Sequence, residues 1–124
     1  MFLQNVFDTF EGSIVVPPGP PAPIAALVIT PTAGSKLRYS AYAQFRVDAP
    51  TAVTFRIVDS VQGVIVEGQQ GYPTVPLFLP GTIMLEWEIA GATPGPHIVT
   101  LEMETTAGLL EAIAAYLAVD ELAP

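Results

Sequence analysis

Two stretches decide the fold: Ile83-Met84-Leu85-Glu86-Trp87-Glu88-Ile89 and Val99-Thr100-Leu101-Glu102-Met103-Glu104. Each alternates large apolar residues with Thr or Glu, the period-two pattern of a strand with one wet and one buried face. Between them lies Ala90-Gly91-Ala92-Thr93-Pro94-Gly95-Pro96, a dense run of chain-reversal residues. The fold class is therefore β. Glutamates repeating as a stripe read as a solvated face, not as catalytic acids.

Working outward, Leu37, Tyr39, Ala41, Ala43, Phe45 and Val47 share one face of a strand, and Val53, Phe55 and Ile57 one face of the next. Strands are expected at 24–30, 36–47, 52–59, 61–68, 74–79, 82–90, 97–105 and 109–120. Eight short strands at roughly ten-residue spacing predict an antiparallel β-sandwich or barrel. The segment 109–120 is rich in Leu and Ala and carries helix propensity. It is expected to be a strand all the same, because seven strands would leave a sheet edge open.

Residues 1–16 read as an apolar arm. Phe2, Leu3, Val6, Phe7 and Phe10 recur at helical spacing, and Ser13-Ile14-Val15-Val16 then reads as extended. The run Pro17-Pro18-Gly19-Pro20-Pro21-Ala22-Pro23 is a stiff, extended spacer. The expected organisation is thus an arm and spacer over 1–23 and a β-domain over 24–124. Such an arm packs on its own domain or docks elsewhere. If it docks, it contributes to attachment and little to folding.

Only 13% of the 124 residues are charged, while 51% are apolar. Soluble domains ordinarily carry about a quarter charged residues, so part of this surface is expected to be covered by other subunits. The net charge of −8 argues against a nucleic-acid partner, which needs clustered Lys and Arg to displace counterions. Lys36, Arg38, Arg46 and Arg56 are the four basic residues. Cysteine is absent, which removes thiolate metal sites. The start of the chain lacks the basic residues of a secretion signal. The uncharged stretch from Gly12 to Ser35 holds six prolines and is not expected to form a membrane helix.

No catalytic motif stands out. His97 is the one histidine and has no nucleophile motif beside it, so it is expected to be structural. Glu86, Glu88, Glu102 and Glu104 are weak calcium candidates, since calcium sites favour loops with backbone carbonyls. Trp87 is expected in the core. No cofactor and no metal are expected, and the protein is expected not to be an enzyme.

The last third resembles the closing strands of trimeric jelly-roll heads of the tumour-necrosis-factor and complement type, as they recur in bacteriophage structural proteins. The matching residues are Pro94-Gly95-Pro96-His97-Ile98-Val99-Thr100-Leu101-Glu102, then Thr105-Thr106-Ala107-Gly108, then Leu117-Ala118-Val119-Asp120-Glu121-Leu122. The Ala-rich stretch from Leu110 to Ala118 departs from that pattern. The resemblance implies an eight-stranded jelly roll in which the third strand pairs with the sixth and the second with the seventh. Counting strands from Ile24, this sets Arg56 near Glu86 and Glu88, and Arg38 and Arg46 near Glu102 and Glu104, with opposite charges facing across strands.

The resemblance further implies a non-enzymatic virion structural protein. The expected role is a capsid decoration protein, located on the capsid surface, that binds the major capsid protein lattice as a homotrimer. Phe2, Leu3, Val6, Phe7 and Phe10 are then the contact to the capsid or a neighbouring subunit. Neither nucleic acid nor membrane is an expected partner. The alternative is a receptor- or carbohydrate-binding head of a phage tail or fibre.

Overall fold

The computed structural model describes residues 2–72 and 81–124. Eight strands run through them: β1 Phe2–Val16, β2 Ala22–Ile29, β3 Lys36–Val47, β4 Thr51–Asp59, β5 Gly63–Tyr72, β6 Gly81–Ile89, β7 His97–Thr105 and β8 Leu110–Leu122. They form two four-stranded antiparallel sheets, ordered β1-β8-β3-β6 and β2-β7-β4-β5. Successive strands alternate between sheets at most crossings, which makes the sandwich a jelly roll. The expected strand at 74–79 lies outside the described residues.

The 36–47 and 97–105 strands have the expected bounds, and 110–122 is a strand despite its helix propensity. Its inward residues explain why. Leu110, Ala112, Ala115, Leu117 and Val119 are all buried, and β8 sits between β1 and β3 with both hydrogen-bonding edges occupied. Helix propensity differs by only tenths of a kcal/mol per residue, less than burial of one Leu supplies.

The N-terminal residues depart from the expected arm. Residues 2–16 form β1, paired with β8 from Phe2↔Leu122 to Val16↔Leu110, with an irregularity between Glu11 and Ile14. Val6, Phe10 and Ile14 pack against the core and Val16 is fully buried. Apolar residues at 6 and 10 satisfy a period of two as well as a helical one, so spacing alone did not separate the two. The unpaired flank of β8 decides for the strand. The proline run then carries the chain from one sheet to the other, and Pro23 lies in β2, an edge strand, next to a bulge.

The core lies between the sheets. Leu37, Tyr39, Ala41, Ala43 and Phe45 of β3 share it with Val53, Phe55 and Ile57 of β4 and Val99, Leu101 and Met103 of β7. Trp87 corrects an expectation. Its register partner is the buried Tyr39, yet it is 55% exposed, because β6 is the outer strand of its sheet.

Candidate functional site

The outward face of β1-β8-β3-β6 has a regular chemistry. Residues opposite each other in an antiparallel register share a face, so the pairings define four rows across the sheet. They are Asn5–Asp120–Arg38–Glu88, Phe7–Ala118–Ser40–Glu86, Thr9–Tyr116–Tyr42–Met84 and Glu11–Ala114–Gln44–Thr82. The charged residues (Asp120, Arg38, Glu88, Glu86 and Glu11) all lie on the perimeter. The centre is Ala118, Ser40, Tyr116 and Tyr42. An uncharged, aromatic-bearing centre with a charged rim is the layout of a protein interface.

Relief on this face is also uneven. Phe7 and Tyr116 stack with ring centroids 6.1 Å apart, and Met84 is 79% exposed. A shallow depression of about 430 Å³ lies between β1, β8 and β3, lined by residues that include Thr9, Glu11, Tyr42, Ala114 and Tyr116. The small side chain of Ala114 leaves room for this hollow beside Tyr42 and Tyr116.

The five residues assigned to the arm fall into two groups. Phe2, Leu3 and Phe7 are exposed, whereas Val6 and Phe10 are half-buried against the core.

The ion pairs differ from the expected set. Arg38 pairs with Glu88 at 3.4 Å and Arg46 with Glu111. Arg56 sits among Glu104 at 2.7 Å, Glu67 at 3.1 Å and Glu102 at 3.8 Å. Burial works against the Arg56 charge, but Glu104 and Glu67 outweigh it and raise its pKa. Glu86 faces Ser40 and enters no ion pair among the described residues. The cause is a shift of one in strand order. The pairs third–sixth and second–seventh do occur, as β3–β6 and β2–β7, but β1 takes first place and moves the four strands expected between 24 and 68 up by one, while those expected at 82–90, 97–105 and 109–120 remain sixth, seventh and eighth. Glu86 and Glu88 therefore lie in one sheet and Glu102 and Glu104 in the other, which prevents the four from holding one calcium ion. Among the described residues no group of three or more His, Asp or Glu is arranged to hold a metal.

Two polar clusters are buried at one end of the sandwich. Glu121 accepts from the Thr32 amide at 2.6 Å, the Ser35 hydroxyl at 2.7 Å and the Gln4 side-chain amide at 2.7 Å. Burial pushes its pKa up, but these donors outweigh burial and hold it below the usual range. The second cluster is Tyr39, Asp59 and His97, none of them accessible to solvent. The Tyr39 hydroxyl donates to Asp59 Oδ2 at 2.7 Å, His97 Nδ1 lies 2.8 Å from the same oxygen, and His97 Nε2 lies 2.7 Å from the Thr93 carbonyl. The amides of Val61 and Gln62 donate to Asp59 Oδ1. Asp59, one of four aspartates, and the single histidine His97 lie 38 residues apart and gave no sequence signal for this cluster.

No protein-family model matches the chain, and no curated protein matches it. Among solved structures it is similar to Eiger, a tumour-necrosis-factor protein of S. frugiperda. The two share 14% identity and superpose with a TM-score of 0.58, over 98% of this chain and 94% of that one. At that identity the likeness shows the fold, a jelly roll of the tumour-necrosis-factor type.

Proposed function

We propose that this protein is a non-catalytic jelly-roll head that assembles as a homotrimer through the outward face of β1-β8-β3-β6. The observation that carries the reading is the confinement of charge to the rim of that face, around Tyr42, Tyr116 and Met84. A chain of net charge −8 repels its own copies, and a second copy meets least repulsion where charge is absent. Trimeric association follows the resemblance of the C-terminal third to trimeric heads. Buried apolar area at about 25 cal/mol per Å² would drive it.

In the same proposal the trimer is a virion component that coats a capsid surface and stabilises it. With β1 incorporated into the sandwich and Phe7 committed to the proposed trimer face, Phe2 and Leu3, rather than a whole arm, are the exposed apolar residues at the start of the strand for a lattice contact. One observation favours the second reading, a receptor- or glycan-binding head: Trp87 is exposed on an edge strand, where its ring can stack on a ligand.

Light scattering on the purified protein tests the assembly. A mass three times that of the 13.1 kDa chain at micromolar concentration is the expected result, and a concentration-independent monomer overturns it. Mass spectrometry of the purified particle tests the coat: hundreds of copies per particle support decoration, and a handful supports the binding head.

A further inference from the structure

We propose that His97 carries both ring protons in the native protein and that its pair with Asp59 is a proton-dependent latch, holding the β4–β5 turn and the β6–β7 loop against the sandwich. The argument begins with the hydrogen-bond inventory. A neutral imidazole has one donor and one acceptor nitrogen. Here Nε2 faces the Thr93 carbonyl, which only accepts, so Nε2 must carry a proton. Nδ1 faces Asp59 Oδ2 at 2.8 Å, and a carboxylate also only accepts. Both ring nitrogens therefore face acceptors, and a ring satisfied on both sides is an imidazolium.

The remaining partners of Asp59 fix the other half of the pair. Besides His97, three donors point at its carboxylate: the Tyr39 hydroxyl and the amides of Val61 and Gln62. Burial pushes the Asp59 pKa up, but hydrogen bonds from Tyr39, His97 and the two amides outweigh it and hold it below the usual carboxylate range. Tyr39 in turn is pushed well above the ordinary phenol range by burial and by the Asp59 charge, so it stays a donor. A buried ion pair is retained only when its spare lone pairs and protons are satisfied, and here every one has a partner.

The groups facing the ring come from each element around it. Asp59 stands on β4, Tyr39 reaches Asp59 from β3, Thr93 belongs to the β6–β7 loop, and the register partner on β2 is the apolar Ile29. The nearest buried charge on β8, Glu121, is committed to Ser35, Thr32 and Gln4. Among the described residues no other ionisable group bonds to His97. Removing the Nδ1 proton would leave a lone pair 2.8 Å from a carboxylate oxygen. The pair then repels, and the Thr93, Val61 and Gln62 contacts lose their common anchor. The latch is closed while the ring carries both protons and is released when the Nδ1 proton is lost.

Because His97 is the one histidine, histidine-selective ¹⁵N labelling of the full chain reads it directly. At pH 7 both ring nitrogens are expected at protonated shifts. A pyridine-type nitrogen at that pH overturns the proposal. In uniformly ¹⁵N-labelled protein, loss of the second ring proton on raising the pH is expected to move the Val61, Gln62 and Thr93 amide signals with the same midpoint, and amides that stay put overturn the latch. In Asp59→Asn, which removes the charge and keeps the shape, the ring is expected to have lost one proton at pH 7; a ring that keeps both removes Asp59 as the cause. The wild-type measurement decides the proposal even if this variant does not fold.

Discussion

Phe7 of the first strand and Tyr116 of the last stack on the outside of the sandwich, their planes inclined by 26°. The contact belongs to a face whose centre carries no charge, and Tyr42 extends it to the next strand. Stacked rings held in water lose part of the benefit of their apolar area, which a covering subunit restores.

Tyr42→Glu places a charge in the middle of that face. Desolvating an unpaired carboxylate in an interface costs several kcal/mol, so the variant is expected to be monomeric by light scattering at concentrations where the wild type is expected to form the proposed trimer. Its far-UV circular dichroism is expected to be unchanged, because residue 42 points away from the core. A Tyr42→Glu trimer would place the interface elsewhere.

Removal of residues 2–16 is expected to abolish cooperative thermal unfolding. The deletion takes Val6, Phe10, Ile14 and Val16 from the core and exposes the flank of β8. Loss of large core side chains costs about 2–5 kcal/mol each, against a typical total stability of about 5–15 kcal/mol. A truncated chain that melts as the intact one does would show that β1 is dispensable for folding.

Arg56→Glu is expected to destabilise the domain by placing a fourth acid among Glu67, Glu102 and Glu104. A second change, Glu104→Lys, is expected to restore part of the loss. Coupling on a partly exposed pair is about 1 kcal/mol or less. Denaturant midpoints of the double-mutant cycle read it directly. Coupling of Arg56 to Glu86 or Glu88 instead would contradict the sheet order.

Gly108→Ala is expected to cost about 1–3 kcal/mol. Gly108 has φ +66°, and a Cβ there would lie 2.5 Å from Asp48 Oδ1 and 2.6 Å from the Ala49 Cβ. Asp48 Oδ1 meanwhile accepts from the Leu109 amide at 2.7 Å, so it cannot simply move aside. A urea midpoint equal to wild type would show that the turn relaxes freely.

Acid is expected to unfold the protein through Asp59 and Glu121. Both carboxyls are held below their unfolded values. As pH falls, the unfolded chain therefore takes up protons first, and the stability these groups contribute is complete above the ordinary carboxylate range of about 4. It is lost as pH falls through the lower folded values. The melting temperature is expected to drop between about pH 5 and pH 2. Glu121→Gln should melt lower at neutral pH and show a shallower fall, and an unchanged fall would remove Glu121 from the account.

Much of the fold was legible because alternation is a local signal. Ile83 to Ile89 and Val99 to Glu104 show which faces are wet before any partner is known, and the resemblance of residues 94–122 supplied the strand order of a jelly roll. The first strand was not legible. Phe2, Val6 and Phe10 fit a period of two as well as a helical one, and the flank of β8 that selects between them lies more than a hundred residues away. That one ambiguity displaced the strand count, and with it the assignment of every cross-strand charge pair.

The sequence by itself determined an antiparallel sandwich with few charges and no nucleophile motif, since strand pattern, turn residues and composition act over a few neighbouring positions. Tertiary structure decided what depends on contacts between distant segments. It joined residues 2–16 to β8, exposed Trp87 on an edge strand, gathered three glutamates around Arg56 and brought Asp59 to Tyr39 and His97. It also aligned Phe7, Tyr42, Met84 and Tyr116 on one face. The physical reason is that hydrogen-bonding edges, buried charges and shared faces are satisfied only by partners from other strands, and the register that brings those partners together is a property of the whole sandwich.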